Sequence, residues 1–229
     1  MSSDLPLISA KAGHPGGICH IPVKLGSKRL VVKNVIPVGG KPAFIWPTVA
    51  CLESNAFDDI VLTSEVVEFL HRLKGQFQEL TMTTLKHQKP SSVIQTTHDV
   101  LADYSDDYDK QVSIALATAV LLTPEDIRGA ISLSQESGDP VMLVTKFMGD
   151  AVRVKNGRVK PAGDLKSREP LYLDAGAFYT FPPGQFKKAK TMYVKNMRPY
   201  YVARLRAVDI DTEEDLQLAQ ILFRAQKSQ

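Results

Sequence analysis

The chain has 229 residues, which suits one globular domain or one domain with a small appendage. It is 44% hydrophobic and 23% charged, so it can form a core, and its net charge of +3 is too small to indicate a nucleic-acid or membrane partner. No apolar run reaches the ~18 residues that span a bilayer, and the start lacks a signal-peptide pattern. We therefore expect a flexible leader at 1–16 and a cytoplasmic protein. Cys19 and Cys51 are expected to be reduced core thiols.

Short apolar runs alternate with helical periodicity through the first two thirds of the chain. The periodicities predict strands at 18–21, 59–63, 80–85, 111–118 and 141–145, and helices at 41–54, 65–74, 92–104 and 124–137. The helix at 124 has the strongest start signal, because Thr123 is a good N-cap and Pro124 suits the first helical position. This alternation predicts a mostly parallel sheet with helices on both faces.

The pattern changes after residue 145. Apolar and basic residues alternate across 152–159 around Asn156-Gly157, which indicates a two-residue hairpin. The run 171–179 is typical of a strand entering a turn. We therefore interpret 17–229 as one domain in which 150–180 is a β-rich appendage. A last helix is predicted after Thr212, which forms a capping box with Asp215.

A basic loop follows the first predicted strand. After Pro22 it contains Gly26, Ser27 and four cations, Lys24, Lys28, Arg29 and Lys33. Glycine lets backbone N–H groups approach an anion, a hydroxyl adds a donor, and lysines neutralise charge. The loop is therefore suited to a polyphosphate, although it lacks the P-loop pattern of nucleotide hydrolases. The alternative is a solvated basic turn.

Asp209 and Asp211 form the second chemical feature. In an extended segment, residues two apart face the same side, so the two carboxylates converge. Their repulsion favours a cation between them, and Mg²⁺ prefers carboxylate and phosphate oxygens. The alternative is a pair of solvated acids, one of which stabilises the N-terminus of the following helix.

The order of short motifs resembles that of the sugar-acid cytidylyltransferases, which activate nonulosonic acids such as sialic, legionaminic and pseudaminic acid with CTP. The resemblance spans about 18–223, and its D-A-G-x-F-Y piece is most similar to the pseudaminic acid type. The matching segments are Ile21-Pro22, Gly26-Ser27-Lys28, Lys33-Asn34, Gly40-Lys41-Pro42, Phe57–Val61, Thr123–Asp126, Val144–Phe147, Asp174–Tyr179 and Asp209–Asp215.

The resemblance implies a Rossmann-like three-layer α/β/α sandwich of the nucleotide-diphospho-sugar transferase type. It implies that 150–180 is a dimerisation element and that the protein is a homodimer. It also implies Mg²⁺-dependent transfer of CMP from CTP to the anomeric hydroxyl of a nonulosonic acid, with pyrophosphate released.

The resemblance also assigns site residues. Lys33, Lys24 and Asp211 would be catalytic, and Asp209 and Asp211 would bind Mg²⁺. The nucleotide would be held by Pro22, Val23, Lys24, Gly26, Ser27, Lys28, Lys33, Asn34 and Ser92. The sugar would be held by Thr118, Asp174, Gly176 and Phe178.

The chain departs from the family pattern mainly on the sugar side. Leu116 stands where a polar or aromatic sugar contact is expected, Ala177 replaces a glutamine, and both prolines of a P-T-A-P motif are absent. Lys24 replaces an arginine, which removes a bidentate phosphate contact. Two alternatives follow, a cytidylyltransferase for the eight-carbon sugar acid Kdo and a non-catalytic nucleotide- or sugar-binding relative.

Overall fold

The computed structural model describes residues 16–27, 29–104, 109–148, 151–162 and 170–227. The strands are β1 (Gly17–Pro22), β2 (Pro37–Val38), β3 (Lys41–Pro42), β4 (Asp59–Ser64), β5 (Thr84–His87), β6 (Gln111–Ala115), β7 (Val141–Lys146), β8 (Val152–Lys155), β9 (Arg158–Pro161), β10 (Tyr172–Phe181) and β11 (Arg198–Tyr201). The helices are α1 (Ile45–Ser54), α2 (Val67–Leu73), α3 (Val93–Ala102), α4 (Pro124–Ser137) and α5 (Glu213–Lys227).

Seven strands form one central sheet in the order β11-β7-β10-β6-β1-β4-β5. Neighbouring strands are parallel except at β10, which runs antiparallel to both β6 and β7. The prediction of a mostly parallel sheet is therefore confirmed. Its parallel strands point their carboxyl ends at one edge, where ligands bind in sheets of this kind.

Helices cover both faces of the sheet. On one face, Ile21 and Leu62 pack with Cys51 of α1 and Ile127 of α4. On the other face, strand residues including Ile114 and Phe181 pack with Val100 of α3. These layers confirm the three-layer α/β/α sandwich.

The C-terminal helix α5 closes a third apolar cluster. Its Leu216, Ala219 and Phe223 are buried, and the Phe223 ring lies 4.4 Å from that of Trp46 between centroids. The helix begins at the predicted capping box, in which the Asp215 amide donates to Thr212 Oγ1 at 3.2 Å and Asp215 Oδ2 accepts from the Thr212 amide at 2.8 Å. This helix anchors the chain directly after Asp209 and Asp211.

Three predicted elements are wrong at a boundary, and one of them is the strand at 111–118, which ends at Ala115. The helix at 41–54 begins only at Ile45, because Lys41–Pro42 pairs as β3 with β2. Pro47 fits the first turn of α1, where no amide donor is needed. The strand predicted at 80–85 begins only at Thr84, and Gln78–Met82 is a 3₁₀ turn that buries Leu80.

The appendage at 150–180 is also corrected. Its β8–β9 hairpin forms as predicted, with φ of 53° at Asn156 and 70° at Gly157, and these strands pair with each other. Tyr172–Phe181, however, is a strand in the middle of the main sheet.

Other sequence predictions concern cysteines, the leader and membranes. Cys19 and Cys51 are free and buried, with their Sγ atoms 3.5 Å apart, as expected for core thiols. The leader predicted at 1–16 lies outside the described residues except for Gly16. None of the helices that the structure describes has the length and apolarity needed to cross a membrane.

Candidate functional site

The carboxyl ends of β1, β4 and β5 form the edge from which the basic loop starts. The Val23 amide donates to the Thr63 carbonyl at 2.7 Å, and the Gln88 amide donates to the Ser64 carbonyl at 2.9 Å. The chain leaving β1 is thus held against the end of β4, which in turn is held against the residue after β5.

Two polar side chains fix the path of the basic loop. Asn34 is buried, and its Nδ2 donates to the Lys24 carbonyl at 2.8 Å. From the other side, Glu65 Oε2 accepts the Leu25 amide at 3.3 Å. Gly26 lies at the exposed tip, where an added Cβ would meet no atom within 4 Å. The tip is therefore open to a ligand.

Lys24 connects the loop to the start of α3. Its Nζ donates to the Ser91 carbonyl. Partial burial lowers the pKa of Lys24, and the nearby Glu65 carboxylate opposes that shift. The hydroxyl of Ser92 is engaged as the N-cap of α3, where it accepts the Gln95 amide at 3.1 Å.

The acidic pair meets the basic loop. Lys33 Nζ lies 2.6 Å from Asp211 Oδ1, and Arg29 Nη2 lies 2.5 Å from Asp211 Oδ2. Between the two acids, Ile210 is fully buried in the cluster beneath α5. Two motifs that are far apart in the sequence therefore form one site.

Asp209, the other member of the pair, is partly buried. Thr118, just past the end of β6, donates its hydroxyl to Asp209 Oδ1 at 2.7 Å. Burial raises the pKa of Asp209, the Thr118 hydrogen bond and Lys33 oppose the shift, and the Asp211 and Asp174 carboxylates add to it. Mutual repulsion of these acids is the electrostatic condition that favours a bound cation.

A β-bulge bends β10 and places a second polar cluster beside Asp209. Asp174 accepts the Gly176 amide on Oδ1 at 2.9 Å, and the Tyr179 and Tyr193 hydroxyls on Oδ2 at 2.5 and 2.8 Å. Gly176 has φ of 59°, and a Cβ at this residue would lie 2.8 Å from the Asp209 Cβ. Glycine is thus required for the close approach of β10 to the acidic pair.

Several predicted site residues have different surroundings from those the sequence suggested. Phe178 is fully buried and packs near Phe57, so its predicted sugar contact is corrected to a role in the core. Pro22 and Val23 are buried as well, which leaves only their backbone to shape the nucleotide side. Ser27 lies on the loop beside Gly26, and Lys28 lies outside the described residues.

Glu65 and Gln88 were not predicted as site residues, and no specific role was predicted for Arg29. Glu65 directly follows β4 and Gln88 directly follows β5, so both lie at the carboxyl edge of the sheet. Polar residues at that position of a parallel sheet are candidates for a ligand site. Like the loop after β1, both residues follow a strand with a readable sequence pattern, so their position after a strand was the signal for them.

Comparison with known proteins identifies a family. A family model described as "Cytidylyltransferase" matches residues 18–227. The chain is 27% identical over 223 residues to the pseudaminic acid cytidylyltransferase of Campylobacter jejuni, covering 90% of this chain and 96% of that protein. It is 26% identical over 219 residues to the CMP-N,N'-diacetyllegionaminic acid synthase of Legionella pneumophila, covering 89% and 94%.

Solved structures show the same fold at low identity. A CMP:2-keto-3-deoxy-manno-octonic acid synthetase complexed with CTP superposes with a TM-score of 0.68 at 13% identity, covering 93% of this chain and 99% of that one. A 4-diphosphocytidyl-2C-methyl-D-erythritol synthase gives 0.71 at 13% identity, covering 90% and 97%.

Proposed function

Because the chain belongs to the cytidylyltransferase family, we propose that it transfers CMP from CTP to the anomeric hydroxyl of a nonulosonic acid and releases pyrophosphate. The names of its relatives support a sialic- or pseudaminic-type acceptor. The observation that carries the proposal is the contact of Lys33 and Arg29 with Asp211, which joins a polyphosphate-binding loop to an acidic pair.

The loop supplies the charge for the triphosphate. Lys24, Arg29 and Lys33 all belong to the loop segment that contains Gly26 and Ser27, and Arg29 and Lys33 reach from it to Asp211. Lys33, the most enclosed of these cations near the acidic pair, stabilises the charge that builds up on the α-phosphate as pyrophosphate leaves. Lys24 has one hydrogen bond to a carbonyl, which a phosphate oxygen can replace.

The acidic pair fits Mg²⁺. Within the described residues, no three acidic, histidine or cysteine side chains gather into a cage that could hold a metal ion. Two carboxylates suffice for Mg²⁺, which is commonly bound by one or two carboxylates together with substrate phosphates. Bound at Asp209 and Asp211, the ion would neutralise phosphate charge and orient the triphosphate. We therefore propose that metal and nucleotide bind together.

The same proposal covers assembly and location. The β8–β9 hairpin exposes Val152, Val154 and Val159, and an isolated hairpin is marginally stable in water. A second copy that covers this apolar face would make the protein a homodimer. A cytoplasmic location fits a reaction that consumes CTP.

A pyrophosphate-release assay tests the activity. CTP, Mg²⁺ and a panel of pseudaminic, legionaminic, sialic and Kdo acids should give pyrophosphate with at least one nonulosonic acid. Pyrophosphate release that is faster with CTP than with ATP, GTP or UTP supports the proposal.

Matched variants tie that activity to the site. Asp211→Asn should abolish release, because an amide keeps the shape of the carboxylate and loses its charge. Glu213→Gln, which alters an exposed acid two residues later, should not. Release with Kdo alone would indicate the Kdo-type enzyme, and no release with any acid would support the non-catalytic relative.

A further inference from the structure

A chain of hydrogen-bonded polar side chains runs from α3 to the basic loop, and all of its members are buried except Glu65, which is partly buried. His20, in β1, has no exposed surface. Its Nδ1 lies 2.7 Å from Thr97 Oγ1 of α3, and its Nε2 lies 2.8 Å from Thr63 Oγ1 of β4. The ring therefore bridges a helix and two strands of the sheet.

The chain continues from Thr63 to the loop. Thr63 Oγ1 donates to Gln88 Oε1 at 2.5 Å, and Gln88 Nε2 donates to Glu65 Oε1 at 3.0 Å. The other Glu65 oxygen accepts the Leu25 amide. Thr63 and Gln88 are buried, so water cannot replace these partners.

The positions of the protons determine which partner donates in each hydrogen bond of this chain. Burial, with a smaller effect of Lys24, lowers the pKa of His20 to about 3, so the ring is neutral and carries one N–H. The single hydroxyl proton of Thr63 is donated to Gln88 Oε1 in a hydrogen bond, so Thr63 can only accept from His20. The N–H of His20 must therefore be on Nε2 and point at Thr63.

The remaining ring nitrogen, Nδ1, is then an acceptor 2.7 Å from Thr97 Oγ1. The Thr97 hydroxyl donates to the Val93 carbonyl at 2.8 Å, so its one proton is shared between that carbonyl and Nδ1. The other tautomer would leave two oxygen acceptors facing each other without a proton, at either Thr63–Gln88 or Gln88–Glu65. From His20 onward, every donor in the chain therefore points toward Glu65.

We propose that His20, Thr63 and Gln88 are positioning residues, which hold the Glu65 carboxylate against Leu25 and thereby set the shape of the loop that receives the triphosphate. The inference rests on the proposed function for its ligand, CTP. Aligned hydrogen bonds in a dry interior strengthen one another, so the loss of one of them also weakens the hydrogen bonds to Glu65. Glu65 without Gln88 would turn toward solvent, and the Leu25 amide would lose its acceptor.

Thr63→Val breaks the chain at its centre with almost no change in volume, and Thr63→Ser restores the hydroxyl. Thr180→Val is the matched control. Thr180 is equally buried and also links two polar side chains, Gln111 and Ser113, but it lies in β10, which is separated from β4 by β6 and β1. It should lose stability without affecting the loop.

Two measurements test the proposal, calorimetric titration with CTP and Mg²⁺ and hydrogen exchange of the backbone amides at 23–27. Thr63→Val should weaken CTP binding about fivefold or more, as loss of about 1 kcal/mol would, and should speed exchange at 23–27. Thr63→Ser and Thr180→Val should stay within about twofold of wild type in both.

Exchange at 23–27 that is unchanged in Thr63→Val, or equally fast in Thr180→Val, would overturn the proposal. If the wild type does not bind CTP, the proposed function fails, and the exchange data still decide whether the chain positions the loop. If Thr63→Val does not fold, Gln88→Met removes the link between Thr63 and Glu65 and should give the same loop-specific exchange.

Discussion

Asp211 is the residue at which the two halves of the site meet. Its carboxylate accepts both Lys33, which is largely enclosed, and Arg29, whose side chain is 67% exposed. Exposed ion pairs contribute little to stability, so Arg29 can leave Asp211 at small cost. Lys33 is held in a drier position, where its charge has a larger effect on a nearby phosphate.

This difference predicts unequal effects of removing the two cations. Lys33→Ala should remove about 2–4 kcal/mol of transition-state stabilisation and lower the turnover number accordingly. The CTP affinity of this variant should change much less. Arg29→Ala should mainly weaken CTP binding. Steady-state kinetics with each variant measure the two effects, and an unchanged turnover number in Lys33→Ala would remove Lys33 from the chemical step.

When no cation is bound, the ionised Asp209 carboxylate should lower the free energy of unfolding. Its raised pKa means that the folded chain binds protons more readily than the unfolded chain, so this group's penalty is fully present above the folded pKa. The penalty declines as pH falls through the folded pKa and is gone below the unfolded value of about 3.9.

We therefore expect Asp209→Asn to be inactive and, at pH 8 without metal, more stable than wild type. Denaturant unfolding from pH 8 to pH 4 should show the advantage shrinking as pH falls. Asp99→Asn, at an exposed position in α3, is the control and should show no such trend. An Asp209→Asn protein that is less stable than wild type at pH 8 would contradict this account.

At the scale of the element, β10 contributes to the site through its backbone. Gly176 lets the strand turn toward Asp209, and Asp174 secures that turn. Gly176→Ala would place a methyl group against Asp209 in a left-handed conformation, which costs about 1–2 kcal/mol before the clash is relieved.

Gly176→Ala should lose activity out of proportion to its lost stability. Melting temperature and pyrophosphate release, measured on the same preparation, give the two quantities. Gly75→Ala is the control, because a Cβ at Gly75 meets no atom within 4 Å. Full activity in Gly176→Ala would mean that the position of Asp209 tolerates a shift of β10.

The β8–β9 hairpin has one apolar and one basic face. Val154 lies opposite Val159, whereas Arg153 lies opposite Lys160 and Lys155 opposite Arg158. Like charges directly opposite each other destabilise a hairpin, so it needs stabilisation from its apolar face.

A second copy of the chain is the partner that we propose for that face. Light scattering should report a dimer at micromolar concentration, and Val154→Glu should shift it toward monomer. Val66→Glu, at an exposed position away from the hairpin, should leave the dimer unchanged. A wild-type monomer under these conditions would contradict the dimer.

At the scale of the whole molecule, local sequence predicted most elements and both halves of the site. Caps at Thr123 and Thr212 and the turn at Asn156-Gly157 act over a few residues, so their patterns are readable. The position of β10 depends on pairing with β6 and β7, more than 25 residues away, and no local pattern encodes that choice. The same holds for His20, whose partners come from α3 and β4.

The joint binding of nucleotide and metal is a property of the whole fold, because loop, acidic pair and β10 meet only in the native state. A ligand that binds only the folded chain stabilises it by about 2.7 kcal/mol at 100 times its Kd, or roughly 5–10 °C for a domain of this size. CTP with Mg²⁺ should give a shift of this order, and CTP with EDTA a much smaller one. Mg²⁺ alone should shift the melting temperature little, because two carboxylates already paired with Lys33 and Thr118 hold it weakly without phosphate. Equal shifts with Mg²⁺ and with EDTA would show that the acidic pair serves the fold and not the nucleotide.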